Sequence, residues 1–245
     1  MKPRGRPLVR WLLLVLAAAL ALQALFIGRI ALMAVLDPQS TTFERSEVWR
    51  LARAGQLRWR QQWRGDAQIS EHLKRAVVAA EDDGFASHEG VDWDAIERAW
   101  ARNAKLREAA ESDADPQQPA HPIRLHGGST ITQQLAKNLL LSGERSLLRK
   151  GQELVLAYAL ERLLDKRRIL TLYLNHVEWG TGVFGAEAAA QHYFNKSAAQ
   201  LTAWEAARLA VMLPRPRYFE QHPQSAYLQG RTRTIVRRMR ATQLP

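Results

Sequence analysis

The chain has 245 residues, 47% of them hydrophobic, which is enough for one globular domain and one apolar anchor. It contains no cysteine, so disulfides and thiolate metal sites are excluded. A formal net charge of +11 requires an anionic partner, and nucleic acid, an anionic membrane surface and a pyrophosphate-bearing substrate all meet that requirement.

The first predicted element is an apolar helix that spans a membrane. Residues 11–36 are apolar apart from Gln23 and Arg29, and residues 11–28 are about long enough to cross a bilayer core of ~30 Å. Basic residues and no acidic ones precede this run, which predicts a cytoplasmic tail at residues 1–10 and an exported domain beyond the anchor. These basic residues are Lys2, Arg4, Arg6 and Arg10.

A cleaved signal peptide is the alternative interpretation of the same segment. Its processing site would be Ala-Leu-Gln-Ala at residues 21–24, which is a poor site. The apolar run continues past that point, which favours an uncleaved anchor at residues 11–36. An anchored and exported domain does not meet nucleic acid, so we expect no nucleic-acid partner.

Residues 37–64 form a juxtamembrane segment that contains Trp49, Trp59, Trp63 and several arginines. Tryptophan together with arginine is typical of a membrane interface. A strand or hairpin whose tryptophans reach the core accounts for the same pattern, and the sequence does not separate the two interpretations.

Residues 65–245 have helical periodicity and few strand patterns, which predicts a mainly α-helical domain. Capping residues and apolar spacing predict helices that begin at or just after Ser70, Trp93, Thr130, Ser146, Asp165, Gly185 and Thr202. The first is expected to end near Gly84. The fourth is expected to direct Leu147, Leu154, Leu160 and Leu164 inward. Between the second and third, the acidic, proline-containing stretch 111–124 is predicted to be a mobile loop.

Three polar clusters in this domain are candidates for chemistry. The first is Glu81-Asp82, followed by Phe85, His88, Gly90 and Asp92. Two adjacent carboxylates near a helix end, ahead of an aromatic residue and a histidine, form a plausible acid/base cluster. An acidic pair at a helix end is more often merely solvated, so this cluster is a weak signal by itself.

The second cluster runs from Gly127 to Asn138, with two glycines placed before a helix N-terminus. Free backbone amides at that position favour a phosphate, and Lys137 adds a positive charge. Further donors are Ser129, Thr130, Thr132, Gln133 and Gln134. A well-capped helix with no ligand is an equally good interpretation of this cluster alone.

The third cluster is Arg145, Arg149, Lys150 and Glu153. Cations at the start of a helix are unfavourable for its dipole, and such a cost is tolerated where an anion is bound. Because Glu153 lies four residues after Arg149, an intrahelical ion pair worth only a few tenths of a kcal/mol is the alternative.

Together these clusters resemble the motifs of the peptidoglycan glycosyltransferase family, the domain shared by monofunctional transglycosylases and class A penicillin-binding proteins. The motif Glu-Asp-x-x-Phe-x-x-His-x-Gly-x-Asp is met at Glu81, Asp82, Phe85, His88, Gly90 and Asp92. Gly-Gly-Ser-Thr-Ile-Thr-Gln-Gln-x-x-Lys-Asn is met from Gly127 to Asn138, and Arg-Lys-x-x-Glu at Arg149, Lys150 and Glu153. A fourth block includes Arg168, Tyr173-Leu174-Asn175, the turn 180–185 and Glu205-Ala206-Ala207. The resemblance covers residues 65–220 and departs at 111–124, which is longer and more acidic than the family usually carries.

The resemblance implies a lysozyme-like helical fold and an enzyme that polymerises lipid II into glycan strands. It implies Glu81 and Glu153 as catalytic residues. Substrate-binding residues would be Ser129, Thr130, Gln133, Gln134, Lys137, Asn138, Arg145, Arg149 and Lys150. Supporting residues would be Asp82, Phe85, His88 and Asn175.

The resemblance also implies the surroundings of the enzyme. Lipid II and the undecaprenyl-pyrophosphate-linked glycan would be substrates at a bacterial inner membrane, with the catalytic domain periplasmic and other wall-synthesis or division proteins as partners. No organic cofactor is implied, and a divalent cation, Mg or Mn, stays open. No Ser-x-x-Lys occurs in the chain, so we expect a monofunctional enzyme. The alternatives are a glycan-cleaving muramidase or lytic transglycosylase, and a non-catalytic bitopic scaffold.

The predicted anchor is tested by fusing a reporter that is active only outside the cytoplasm to Pro245. We expect reporter activity in a protein that stays in the membrane fraction, because residues 11–36 remain attached. A soluble, shortened product that lacks the apolar run would show instead that the segment is a cleaved signal peptide.

Overall fold

A computed structural model describes residues 5–112, 127–141 and 146–245, and this part of the chain is mainly α-helical, as predicted. The helices are α1 Gly5–Leu32, α2 Thr42–Arg53, α3 Glu71–Glu81, α4 Trp93–Ser112, α5 Ile131–Leu140, α6 Leu147–Leu163, α7 Lys166–His176, α8 Ala186–Phe194, α9 Ala203–Met212, α10 Pro216–Gln221 and α11 Ala226–Arg238. The strands are β1 Arg60–Gln61, β2 Glu178–Gly180 and β3 Val183–Phe184.

The apolar N-terminal run forms α1. Residues Pro7–Leu32 have a mean hydropathy of 2.3 and are long and apolar enough to cross a membrane. Only the end of this helix reaches the protein core, where Ile30 and Met33 are buried. Arg168 of α7 donates to the carbonyl oxygens of Met33 at 2.7 Å and Leu36 at 2.9 Å, and so satisfies backbone acceptors beyond the last turn of α1. The anchor is thereby joined to the helical domain.

The predicted caps are present at their helices. Ser70, Ser146 and Asp165 each accept a hydrogen bond from a backbone N–H in the first turn of α3, α6 and α7. Thr130 and Thr202 form complete capping boxes at α5 and α9. These local signals placed the helix starts correctly because each cap needs only residues of its own turn.

Two local predictions were wrong. Helix α3 ends at Glu81, ahead of the predicted Gly84, because Asp82 leaves the helical conformation with φ −162° and ψ 74°. Leu147 does not point inward and is 92% exposed, and Leu154 is only partly buried, whereas Leu160 and Leu164 are buried. Leu147 lies in the first turn of α6, where the neighbouring Leu148 is also exposed.

The core lies where α3 packs on α9 and α9 on α11, beside the group formed by α5, α6 and α7. Its largest fully buried side chains are Trp179, Tyr173 and Phe85. The Trp179 indole N–H donates to the Leu209 carbonyl at 3.1 Å, so this large residue is buried with its polar atom satisfied. The packing fixes α3, α5 and α7 around one region, and the candidate site lies there.

Residues 37–64 pack onto the helical domain. The buried carboxylate of Glu44 contacts His176 Nδ1 at 2.8 Å, and β1 lies parallel to β3 in a sheet with the order β1-β3-β2. The sequence left open whether the three tryptophans lie at a membrane interface or reach the core, and the structure shows both exposed and packed tryptophans. Trp49 is 61% exposed, Trp63 packs partly buried against the core, and the ring of Trp59 lies tilted against Phe184, with 5.0 Å between the ring centroids. The domain boundary at residue 65 stays a prediction.

A tight backbone contact at Gly182 allows β1 and β3 to pair, and it gives a test of the fold. Gly182 has φ +71°, and a Cβ there would lie 2.1 Å from the carbonyl oxygen of Arg58. We expect Gly182→Ala to cost about 3 kcal/mol, because left-handed strain of ~1–2 adds to overpacking of ~1–3 kcal/mol. Gly55 has φ +64° in open space, so Gly55→Ala is the matched control and carries the strain alone. Thermal unfolding in detergent measures both, and equal losses would contradict the contact.

Candidate active site

The carboxylate of Asp82 joins the end of α3 to the start of α5. Its Oδ2 accepts from the backbone N–H of Ile131 at 2.9 Å, which is a free donor of the first turn of α5. His88 Nε2 contacts Asp82 Oδ1 at 2.9 Å, while His88 Nδ1 accepts from the Gly90 N–H at 3.1 Å. These contacts make Nε2 the protonated nitrogen. They give Asp82 and His88 the geometry of supports for the neighbouring Glu81.

Glu81 is the last residue of α3 and lies half-buried at the cleft. Its Oε2 accepts from Gln134 Nε2 of α5 at 2.9 Å. Burial raises the pKa of Glu81 above its ordinary value, and the hydrogen bond from Gln134 opposes this rise. The negative charge of Asp82 adds to the rise, whereas Lys137 and Arg231 lower the pKa. A carboxylate with a raised pKa in a cleft is suited to proton transfer.

The N-terminus of α5 is built by its own cap and by the loop after α3. The Thr130 hydroxyl donates to the Gly90 carbonyl at 2.6 Å, and Gln133 Oε1 accepts from the Thr130 N–H at 3.0 Å. Gln133 is 1% exposed, and its Nε2 has no hydrogen-bond partner among the described residues. An unpaired buried amide donor is costly, which suggests a ligand acceptor at this position.

Glu153 lies at the centre of the cation cluster. It is 3% exposed, and its Oε2 accepts from Arg149 Nη1 at 3.0 Å while Oε1 accepts from Lys150 Nζ. Lys150 Nζ also donates to Ser129 Oγ at 3.2 Å, which connects α6 to the start of α5. The intrahelical pair considered as the alternative therefore exists, but it is buried and belongs to a larger network.

Lys137 lies between the two candidate carboxylates. Its side chain is exposed, yet protein atoms crowd its ammonium group, and this desolvation lowers its pKa. Glu153 and Glu81 raise that pKa, whereas Arg149 and Lys150 lower it further. The charges of both acidic residues therefore act on one ammonium group, which places Glu81 and the cation cluster in the same electrostatic site.

Two recesses meet at Gly128 and Ser129. The larger has a volume of about 980 Å³, and Glu81 and His88 are among its lining residues. The smaller, of about 290 Å³, is lined by the polar residues Asn103, Ser129, Gln133 and Lys150 and by several apolar side chains. These apolar side chains are Trp93, Ile96, Ala99, Trp100 and Leu154. The arrangement offers a proton acceptor in one recess and cationic and amide donors beside apolar side chains in the other.

The remaining predicted residues take different places. Phe85 is fully buried beneath the ammonium of Lys166, 4.5 Å from its ring centroid. Asn138 follows Lys137 on α5 and is partly buried. Asn175 bonds the backbone of Arg64 and Thr171, so it holds the segment before α3 rather than the cleft. Arg145 and residues 113–124 of the predicted loop lie outside the described residues.

Three residues of the site had no assigned role in the sequence analysis. Arg231 and Arg238 of α11 line the larger recess, and Arg238 pairs with Asp83 at 3.2 Å. Tyr173 of α7 donates to Gln134 Oε1 at 2.9 Å, behind the amide that bonds Glu81. Tyr173 lies in the fourth motif block, which was the one available signal for it. Nothing in the spacing of α11 indicated that its arginines would reach a cleft formed by residues far earlier in the chain.

The described residues contain no group of three or more His, Asp or Glu side chains that could hold a metal ion. Both oxygens of Glu153 are already engaged by Arg149 and Lys150. This donor set does not fit a divalent cation held by protein side chains alone.

Comparison with known proteins gives consistent matches over most of the chain. A family model described as Transglycosylase matches residues 50–240. The chain is 50% identical to the biosynthetic peptidoglycan transglycosylase of Bordetella pertussis, over 94% of this chain and 91% of the relative. It is 49% identical to the protein of that name from Paraburkholderia phytofirmans, over 97% and 95%, and 48% identical to that of Herminiimonas arsenicoxydans, over 98% of each.

Proposed function

The chain belongs to the transglycosylase family and is a glycosyltransferase enzyme of peptidoglycan biosynthesis, and from this premise we propose that it polymerises lipid II. The glycan carried by undecaprenyl pyrophosphate is transferred to the 4-hydroxyl of the N-acetylglucosamine of lipid II. The bond from the sugar C1 to the pyrophosphate oxygen breaks with inversion, and a β-1,4 bond forms. The hydroxyl proton passes to a protein base, and the pyrophosphate leaves as an anion.

The observation that carries this proposal is that the recess lined by Glu81 meets, at Gly128 and Ser129, the recess lined by Lys150 of the Glu153 cluster. A sugar hydroxyl has a pKa far above neutrality, so its attack needs a base that accepts the proton as the new bond forms. Glu81 has the required position in the larger recess, and burial raises its pKa toward the operating range of such a base. We assign Glu81 as the general base and Asp82 and His88 as its supports.

The leaving pyrophosphate needs charge neutralisation, and the cations supply it. Lys137, Arg149 and Lys150 lie around buried Glu153, which fixes two of them by direct hydrogen bonds. Cations held in place before the reaction stabilise charge that develops in the transition state without reorganising. We assign Glu153 to the organisation of this cluster. Ser129, Thr130, Gln133, Gln134 and Asn138 are assigned to substrate contacts, and Arg145 remains a member of the set by motif alone.

An amphiphilic substrate suits the smaller recess. Its lining contains Lys150, Ser129, Asn103 and Gln133, whose Nε2 has no partner among the described residues, together with tryptophan and aliphatic side chains. A prenyl pyrophosphate has charged oxygens directly beside an apolar chain, so one molecule satisfies both kinds of lining residue. A divalent cation, Mg or Mn, would arrive bound to the pyrophosphate of the substrate and would not be held by the protein alone.

The anchor supports access to a substrate that is embedded in a membrane. Gln23 of α1 and Gln152 of α6 exchange hydrogen bonds of 2.7 and 2.9 Å. Gln23 lies within the apolar span Pro7–Leu32, so Gln152 contacts the anchor inside that span. The exposed side chains of Leu147 and Leu148 are on the same helix as Gln152. We therefore place the domain at the periplasmic face of the inner membrane, where other wall-synthesis or division proteins would be its partners.

Two other functions remain testable. A muramidase or lytic transglycosylase would use Glu81 as an acid that protonates a sugar leaving group, and it would have no use for the cations around Glu153. A non-catalytic scaffold would bind partners without turnover. Incubation with lipid II separates all three, because only the proposed enzyme converts it into longer glycan strands.

Replacing Glu81 by Gln tests the assignment of the base. The amide keeps the size of the side chain but accepts no proton, so polymerisation of lipid II should fall by a factor of roughly 10²–10⁴. Initial rates of strand formation from purified full-length protein, followed on gels, measure this fall. Binding of lipid II should change much less, because the cations that hold pyrophosphate are intact.

Glu178→Gln is the matched control for that experiment. Burial also raises the pKa of Glu178, which pairs with Arg217 away from the residues of the two recesses. We expect this control to lower the melting temperature and to leave the rate within a few-fold of wild type. A Glu81→Gln protein that polymerises lipid II at a near wild-type rate would refute the assignment.

Lys137→Ala tests the cationic half of the proposal. Loss of one charge-assisted contact to the leaving group, about 1.5–3 kcal/mol, should slow turnover roughly tenfold to a hundredfold. Lys196→Ala removes a lysine that is paired with Glu205 at 2.9 Å on another part of the domain, and it serves as the control. Single-turnover rates of the two variants decide the matter, and an unchanged rate in Lys137→Ala would remove Lys137 from the machinery.

A further inference from the structure

A buried tyrosine lies behind the amide that bonds Glu81. Tyr173 of α7 is 1% exposed, and its hydroxyl donates to Gln134 Oε1 at 2.9 Å. The nitrogen of the same amide donates to Glu81 Oε2 at 2.9 Å. Side chains from α7, α5 and α3 therefore form one directed chain of hydrogen bonds that ends on the carboxylate.

The tyrosine hydroxyl determines which way this amide points. Among the residues that the structure describes, Gln134 Oε1 is the one acceptor of the Tyr173 hydroxyl proton. Rotating the amide by half a turn would place its NH₂ group against the hydroxyl and leave a buried phenolic proton unpaired, which is costly. The same rotation would turn the amide oxygen toward Glu81, where only a protonated carboxyl group is a suitable donor. Tyr173 therefore favours the amide orientation that suits ionised Glu81.

We propose that Tyr173 is a positioning residue that holds Gln134 in the orientation which keeps Glu81 ionised and ready to accept a proton. This inference rests on the proposed role of Glu81 as the base. Tyr173 acts through Gln134, since its own side chain is enclosed by the core. Its hydroxyl keeps its proton, because burial and the charges of Glu81 and Asp82 raise the pKa of Tyr173 well above its usual value.

The hydrogen bond from Gln134 can be compared with the other influences on the pKa of Glu81. Burial is the largest influence on the pKa of Glu81 and raises it, and the bond from Gln134 is the largest influence that lowers it. Asp82 at the end of α3 raises this pKa, while Lys137 of α5 and Arg231 of α11 lower it less than Gln134 does. The contact controlled by Tyr173 is thus the main one that opposes the burial of the base.

The test is the dependence of lipid II polymerisation on pH in the full-length Tyr173→Phe protein. Phenylalanine keeps the ring and removes the hydroxyl, so the amide is free to turn and the pKa of Glu81 rises. We expect the acidic limb of the rate to move to higher pH by about one unit, a roughly tenfold loss of rate below the limb. The rate should return to within about twofold of wild type at alkaline pH, where Glu81 is ionised in both proteins.

Tyr193→Phe is the matched control, because the Tyr193 hydroxyl also makes a single hydrogen bond, to the Trp179 carbonyl at 2.7 Å, in a different part of the domain. It should lower stability without moving the acidic limb. Gln134→Met breaks the same chain as Tyr173→Phe and should move the limb equally. The double variant should move it no further, since the two residues act through one contact.

A direct titration of Glu81 separates this inference from the proposed function. The infrared band of the protonated Glu81 carboxyl group is identified by its loss in Glu81→Gln, and it reports protonation without turnover. A shift of this titration in Tyr173→Phe, with an unmoved rate limb, would support the positioning role and refute Glu81 as the base. A uniform loss of rate at every pH with an unshifted titration would refute the positioning role and leave Tyr173 as a packing residue only.

Discussion

The carboxylate of Asp82 is the constraint on which the rest of the site depends. By accepting the Ile131 N–H it fixes the start of α5 against the end of α3, and by contacting His88 it holds the loop that leads to Gly90. The Gly90 carbonyl in turn accepts from the cap residue of α5. This closed set of contacts faces Gln134 toward Glu81. Because the partners of Asp82 are buried and directional, displacing either helix would leave polar groups unsatisfied.

Glu81 and Glu153 lie in opposite electrostatic environments. Glu81 is crowded by protein and accepts a single neutral hydrogen bond, which leaves it able to take up a proton. Glu153 is more deeply buried, and each of its carboxylate oxygens accepts a hydrogen bond from a cation, Arg149 or Lys150. The charges of both carboxylates raise the pKa of Lys137. The site therefore combines a carboxylate that can take up a proton, Glu81, with cations held in place around Glu153. Proton transfer needs the first environment, and stabilising a departing anion needs the second.

The anchor helix is also part of this architecture. Arg168 binds carbonyl oxygens just beyond α1, and Gln152 bonds the anchor from the same helix that carries Arg149, Lys150 and Glu153. The cation cluster is therefore held at a short, fixed distance from the apolar span.

The sequence by itself determined the long apolar N-terminal helix, the helical class, the caps at Ser70, Thr130 and Thr202, and the motifs that contain Glu81 and Glu153. Each of these features depends on residues that are close together in the chain, so the order of residues is enough to predict it. Only the tertiary structure decided that Arg231 lines the larger recess, that Tyr173 bonds Gln134 and that Leu147 is exposed. Those facts depend on which helices pack side by side. Packing between distant segments leaves no period or spacing in the chain, so it could not be predicted from the sequence.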